Sequence, residues 1–131
     1  MSPNTGAGQF AQDMRRPPAR PIDMMHLAKQ ALGDPGLELE ILRAFGEITT
    51  RHFAALEKAD EVPDMLHHLH MLKGAAIGVG AWGLAEHAHV MARDLGAREP
   101  FDAELVEDIR MSVEELKAFI AERIAVAEEE R

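Results

Sequence analysis

The chain contains no cysteine and no tyrosine. Without thiols it holds no disulfide, iron–sulfur cluster, thiolate zinc site or cysteine nucleophile. Aromatic residues make up 5%, with one tryptophan and five phenylalanines. Alongside abundant Ala, Leu, Met and Glu, that scarcity argues against a β-sandwich and toward helices. Basic residues are outnumbered 14 to 23, for a net charge of −9. Such a field repels a phosphate backbone, which argues against a nucleic-acid partner. No apolar run approaches the roughly 18–20 residues that cross a bilayer, so no membrane insertion is expected. The N-terminal stretch lacks the apolar core of a secretory signal, and the expected location is cytoplasmic. A chain of 131 residues, 47% of them hydrophobic, suits one domain with a single core.

Residues 1–21 read as a flexible basic tail. They hold Pro3, Pro17, Pro18 and Pro21, and set Arg15, Arg16 and Arg20 against Asp13. Few large apolar residues offset the entropy of ordering such a segment. Residues 22–131 read as the folded domain, helical throughout. A short helix is expected from Asp23 to about Leu32, stopping at Gly33. Asp34-Pro35 pairs an N-cap with proline at the first helical position. The second helix then carries Leu37, Ile41, Phe45, Ile48, Phe53 and Leu56, and ends near Asp60. Val62-Pro63-Asp64 starts a third, with Leu66, Leu69, Leu72 and Ala76 on one face and an end loosened by glycines near Gly80. The fourth carries Leu84, Ala88, Met91 and Leu95 and closes at Gly96. Asp102 caps the fifth, and Phe101 packs on Val106 as a hydrophobic staple. Its stripe is Leu105, Ile109, Val113, Leu116, Ile120 and Ile124. The expectation is an all-α fold: an antiparallel up-down-up-down four-helix bundle, with the short extra N-terminal helix covering one end.

One stretch does not suit a plain bundle. Four of the ten glycines fall between Gly74 and Gly83. Interior glycine costs a helix about 1 kcal/mol relative to alanine, so something should require the missing side chains. His70, Gly74 and Gly78 recur at four-residue spacing and share one face. If Leu69, Leu72 and Ala76 face the core, His70 lies at or near the surface. The next turns on its side then carry no bulk, and Ala75 keeps the neighbouring surface small. Lys73, three residues on, sets a cation beside the imidazole.

The run His70-Met71-Leu72-Lys73-Gly74-Ala75-Ala76, followed by Gly80-Ala81 and Leu84, resembles the histidine-containing phosphotransfer (HPt) domain family. That family's pattern is a histidine, any residue, then Leu-Lys-Gly and two small residues. Gly-Ala follows ten and eleven positions after the histidine, then leucine. Ile22-Asp23, Leu42, Phe45 and Leu84-Ala85 extend the likeness over about residues 22–125.

The resemblance implies a phosphocarrier rather than a self-sufficient enzyme. His70 would take a phosphoryl group on Nε2 from the aspartate of a receiver domain and pass it to another, in a multistep two-component phosphorelay. Lys73 would support the charge. Gly74, Gly78, Met71, Leu66 and Ala75 would form the docking face. Neutral imidazole is nucleophilic near physiological pH, and a neighbouring cation disfavours its protonation. No nucleotide-binding motif is present, so ATP is not the expected donor. The implied partners are response-regulator receiver domains and a hybrid histidine kinase. The chain itself needs no cofactor; Mg²⁺ belongs to the receiver. A monomer is the simplest state.

Two positions depart from the family. Many members place Gln or Glu about 22 residues after the phosphorylated histidine, where it orients the imidazole through Nδ1. Ala92 stands there, which leaves that role to solvent or to a neighbour such as His89 or Arg93. The family's Ser or Thr after the glycine is Ala75. Ala92 also favours an alternative, a degenerate HPt-like regulator that docks on a receiver or kinase without carrying phosphate. The seven histidines raise a further alternative, a helical metal-binding bundle built from His67, His70, His87 and His89. Its weakness is spacing, since His87 and His89 point in different directions along a helix.

Overall fold

The structure, a computed structural model, describes residues 20–98 and 102–130. The expected basic tail lies almost wholly outside the described residues, as does Phe101 with its proposed staple. Five helices follow in order: α1 (Met24–Gln30), α2 (Pro35–Lys58), α3 (Val62–Val79), α4 (Trp82–Gly96) and α5 (Ala103–Glu129). Helices α2 to α5 form the antiparallel four-helix bundle, each packed on two neighbours in a closed ring. Helix α1 packs on α3 and α2. No helix among the described residues is long and apolar enough to cross a membrane.

The starts of the helices follow from their first residues. The Asp23 carboxylate accepts from the backbone N–H groups of Met25 and His26, both at 3.1 Å. Asp34 accepts from Gly36 at 2.9 Å and from Leu37 at 3.3 Å, with Pro35 opening α2. Asp102 accepts from Glu104 at 2.9 Å. Each carboxylate satisfies donors that the helix leaves unpaired and faces its positive end.

The core runs along the ring's interior. Leu69, Leu72 and Ala76 of α3 are fully buried. They meet Leu84, Ala85, Ala88 and Met91 of α4 and Ile109, Val113, Leu116 and Ile120 of α5. Burying one such leucine contributes about 1.5–3 kcal/mol.

The buried stripe of α2 is Leu42, Phe45, Thr49, Phe53 and Leu56, while Leu37, Ile41 and Ile48 are only half-buried. The expected stripe is thus off by about one position in its first half. Helix α2 packs on both α3 and α5, so its inward face is broad enough to take a polar residue that bonds to its own helix. The Thr49 hydroxyl donates to the carbonyls of Phe45, at 2.9 Å, and Gly46, at 3.1 Å. Helix α4 closes at Gly96 as expected, though without a left-handed glycine. Gly96 is its last helical residue, and the left-handed position falls to Arg98, at φ 60°.

Gly80 does not loosen α3; it ends it sharply. Its φ is +84°, and the N–H groups of Gly80 and Ala81 both return to the Ala76 carbonyl, at 3.0 and 2.8 Å. That is a glycine-closed helix end. Asp23 docks there, its backbone N–H donating to the Gly80 carbonyl at 2.9 Å. A Cβ on Gly80 would meet the Asp23 Cβ at 3.0 Å and the Asp23 carbonyl oxygen at 3.2 Å. Trp82, at the start of α4, donates its indole N–H to the other Asp23 oxygen at 3.2 Å and sets its ring edge-on to His26. Burial pushes the Asp23 carboxyl up. The hydrogen bonds from His26, Trp82 and Met25 and the charge of His26 outweigh that and hold it below its ordinary value.

Candidate functional site

Helix α3 carries the sequence-predicted site on the flank away from its buried stripe. His70, Gly74 and Gly78 stand on successive turns and all are exposed. Helix α3 runs unbroken through both glycines. Beyond the helix's own backbone, a Cβ on either would meet no heavy atom of the described residues within 4 Å. Gly83 and Gly96 are equally open, but they sit at the two ends of α4, where a helix is least committed. Gly74 lies mid-helix, where glycine carries its full cost of about 1 kcal/mol, and no packing among the described residues offsets it.

The remaining site residues divide by exposure. Met71 is 40% exposed. Leu66 and Ala75 are half-buried, and Ala75 packs partly on the core. Lys73 is half-buried and crosses the seam between α3 and α4. Its Nζ lies 3.0 Å from Nδ1 of His89.

None of the residues considered for orienting His70 bonds to its ring. Ala92 is half-buried against the core. Arg93 donates to Asp94 through Nε at 3.3 Å and Nη2 at 3.2 Å. His89 engages Lys73 instead. Burial pushes the His89 imidazole below its ordinary range, and the charges of Lys73 and Arg93 push it further against an opposing pull from Glu86.

No family model matches this chain, and no curated protein or solved structure is significantly similar to it. The architecture is one that many helical-bundle families share.

The other histidines gather elsewhere. His52 of α2 places Nδ1 3.0 Å from Nδ1 of His68 on α3, and His67 stacks edge-on to both rings. One of the two paired rings must be neutral to accept. His52 is held below its ordinary value by burial, then by His68, Arg51 and His67. This group draws His67 toward α2 rather than into a cluster with His70 and α4. Among the described residues no three of His, Asp and Glu are grouped so as to hold a metal ion.

The sequence placed His70, Gly74 and Gly78 together on one exposed flank of α3, because a helix's period places its own residues. It missed the partners across seams. His89 bonds to Lys73 rather than to His70, and His52 bonds to His68, which no spacing along one helix reveals.

Proposed function

We propose that this chain is a phosphocarrier of the histidine phosphotransfer type, with His70 as acceptor, working between receiver domains of a two-component phosphorelay. One observation carries the reading: an exposed histidine stands one turn from a mid-helix glycine whose missing side chain serves no contact among the described residues. A face kept bare at a cost in helix stability is accounted for by a partner that must approach closely. The motif His70 to Leu84, on an all-helical frame, supports the same conclusion.

The chemistry balances with the groups available. The Nε2 lone pair of neutral His70 forms the N–P bond as the bond from phosphorus to the receiver's aspartate oxygen breaks. The carboxylate leaves with the bonding pair, in a pocket where the receiver supplies Mg²⁺. The phospho-imidazolium then releases its Nδ1 proton to water, which the exposure of His70 allows. The reverse sequence delivers the group to a second receiver. Lys73 contributes positive charge on the same flank, where charge on the transferring phosphoryl is stabilised most effectively if held in place beforehand. Met71, Gly74 and Gly78 supply the open docking face, with Leu66 and Ala75 at its margin.

Ala92 favours a second reading, a docking regulator that binds a receiver without accepting phosphate. Incubation with a panel of aspartate-phosphorylated receiver domains separates the two. The carrier takes acid-labile, base-stable label, and the His70→Gln variant takes none. Binding without label on either protein supports the regulator. Neither label nor binding across a broad panel overturns both.

A further inference from the structure

We infer that His89 is a positioning residue for Lys73, holding the ammonium in place beside the phosphoryl-accepting face while leaving its charge intact. The inference rests on the phosphocarrier reading and deepens it.

Lysine carries about 2 kcal/mol of side-chain rotamer freedom, so an ammonium useful at one spot must be held there. The Nζ–Nδ1 contact of 3.0 Å, made from the adjacent helix, contributes to this for Lys73. The nature of the partner matters more than its presence. A carboxylate in this place would cancel much of the charge that an incoming phosphoryl group needs. A neutral imidazole accepts the hydrogen bond through the Nδ1 lone pair and adds no negative charge. The contact requires the tautomer with its proton on Nε2.

The surroundings favour that neutral form. Lys73 faces His89 from α3, and Arg93, four residues on along α4, adds a second positive charge. Glu86 opposes them from the preceding turn, and burial disfavours the imidazolium. His89 therefore does for the lysine what the missing Gln or Glu at Ala92 would do for the histidine in the resembling family: it fixes one functional group from the neighbouring helix.

The test is a double-mutant cycle read as the rate of phosphoryl transfer to His70 at neutral pH. The donor is a phosphorylated receiver domain that labels the wild type. His89→Ala is expected to slow transfer about fivefold to tenfold, the loss of one positioned charge. The same change in a Lys73→Ala background is expected to cost nothing further, because there is no lysine left to position. His89→Gln, a neutral acceptor, should restore most of the rate. His89→Glu should hold the lysine yet remain slow, because it neutralises the charge.

Equal losses in both backgrounds, or equal rates for the Gln and Glu variants, would overturn the role assigned to His89. Nitrogen-15 NMR of the wild-type imidazole gives an independent check on a folded, unmutated chain. Nδ1 should be unprotonated and Nε2 protonated, and a protonated Nδ1 would sink the proposal. If the wild type takes label and His70→Gln does not, a null result for His89→Ala defeats this inference alone. If the wild type takes no label from any receiver, the phosphocarrier reading fails and this inference falls with it.

Discussion

Gly80 and Gly74 stand six residues apart at the end and the middle of the same helix segment, and they are glycine for opposite reasons. At Gly80 the missing side chain is used by the chain itself. The backbone turns left-handed, and Asp23 and His26 crowd the space a Cβ would take. At Gly74 the backbone is ordinary helix and the space is open. Among the described residues, folding explains the first glycine and not the second. A bundle's function is therefore to be sought where local stability has been given up without any internal use for it.

The largest expected effect tests the folding side of that contrast. Gly80→Ala forces a left-handed alanine and crowds Asp23. Together these should cost about 2–5 kcal/mol, read as a lower urea midpoint. A loss below 1 kcal/mol would mean that α1 docks more loosely than its hydrogen bonds to this turn imply.

The middle effect has the opposite sign. Gly74→Ala should raise stability by about 0.5–1 kcal/mol, since alanine is the better helix former. It should at the same time slow transfer from a phosphorylated receiver. A stabilised variant with an unchanged rate would erase the distinction between the two glycines.

The smallest effect sharpens the comparison through pH. His52 and His89, on the seams beside α3, are both held below the ordinary histidine value, chiefly by burial. Between those depressed values and about 6.5 the unfolded chain binds protons that the folded chain does not. Stability should therefore rise with pH through that window, level off above it, and fall on acidification. Asp23 is shifted in the same downward direction but as a carboxyl. Its contribution should be complete above about pH 4 and be lost only as pH falls further, through its depressed value. Amide exchange followed from pH 7 downward should thus show the α3–α4 and α2–α3 seams loosening before the junction of α1 with Gly80. The reverse order would contradict the contacts at both places.

Much of this molecule was legible in its sequence because the signals are local. Asp23, Asp34 and Asp102 announce helix starts through atoms two or three residues away, and a mid-helix glycine is conspicuous wherever it occurs. The rotation of α2 was less legible. Whether Ile41 or Leu42 faces inward depends on having α3 and α5 on either side, and Thr49 is buried only because its hydroxyl bonds back to Phe45 and Gly46. The contacts of Lys73 with His89 and of Trp82 with Asp23 depend on the offset between elements. No periodicity within one helix encodes that offset. Glycines gave a mixed signal: the sequence marks Gly74, Gly78 and Gly80 alike, and only the space around each separates them.

Trp82 is the chain's single tryptophan, and tyrosine is absent. Its indole is tied to Asp23 and lies edge-on to the His26 ring at the junction of α1 with α4. Intrinsic fluorescence from this molecule is thus a one-position optical gauge of that junction. A spectral change on heating reports α1 lifting from the bundle, and it equals global unfolding only if circular dichroism moves with it.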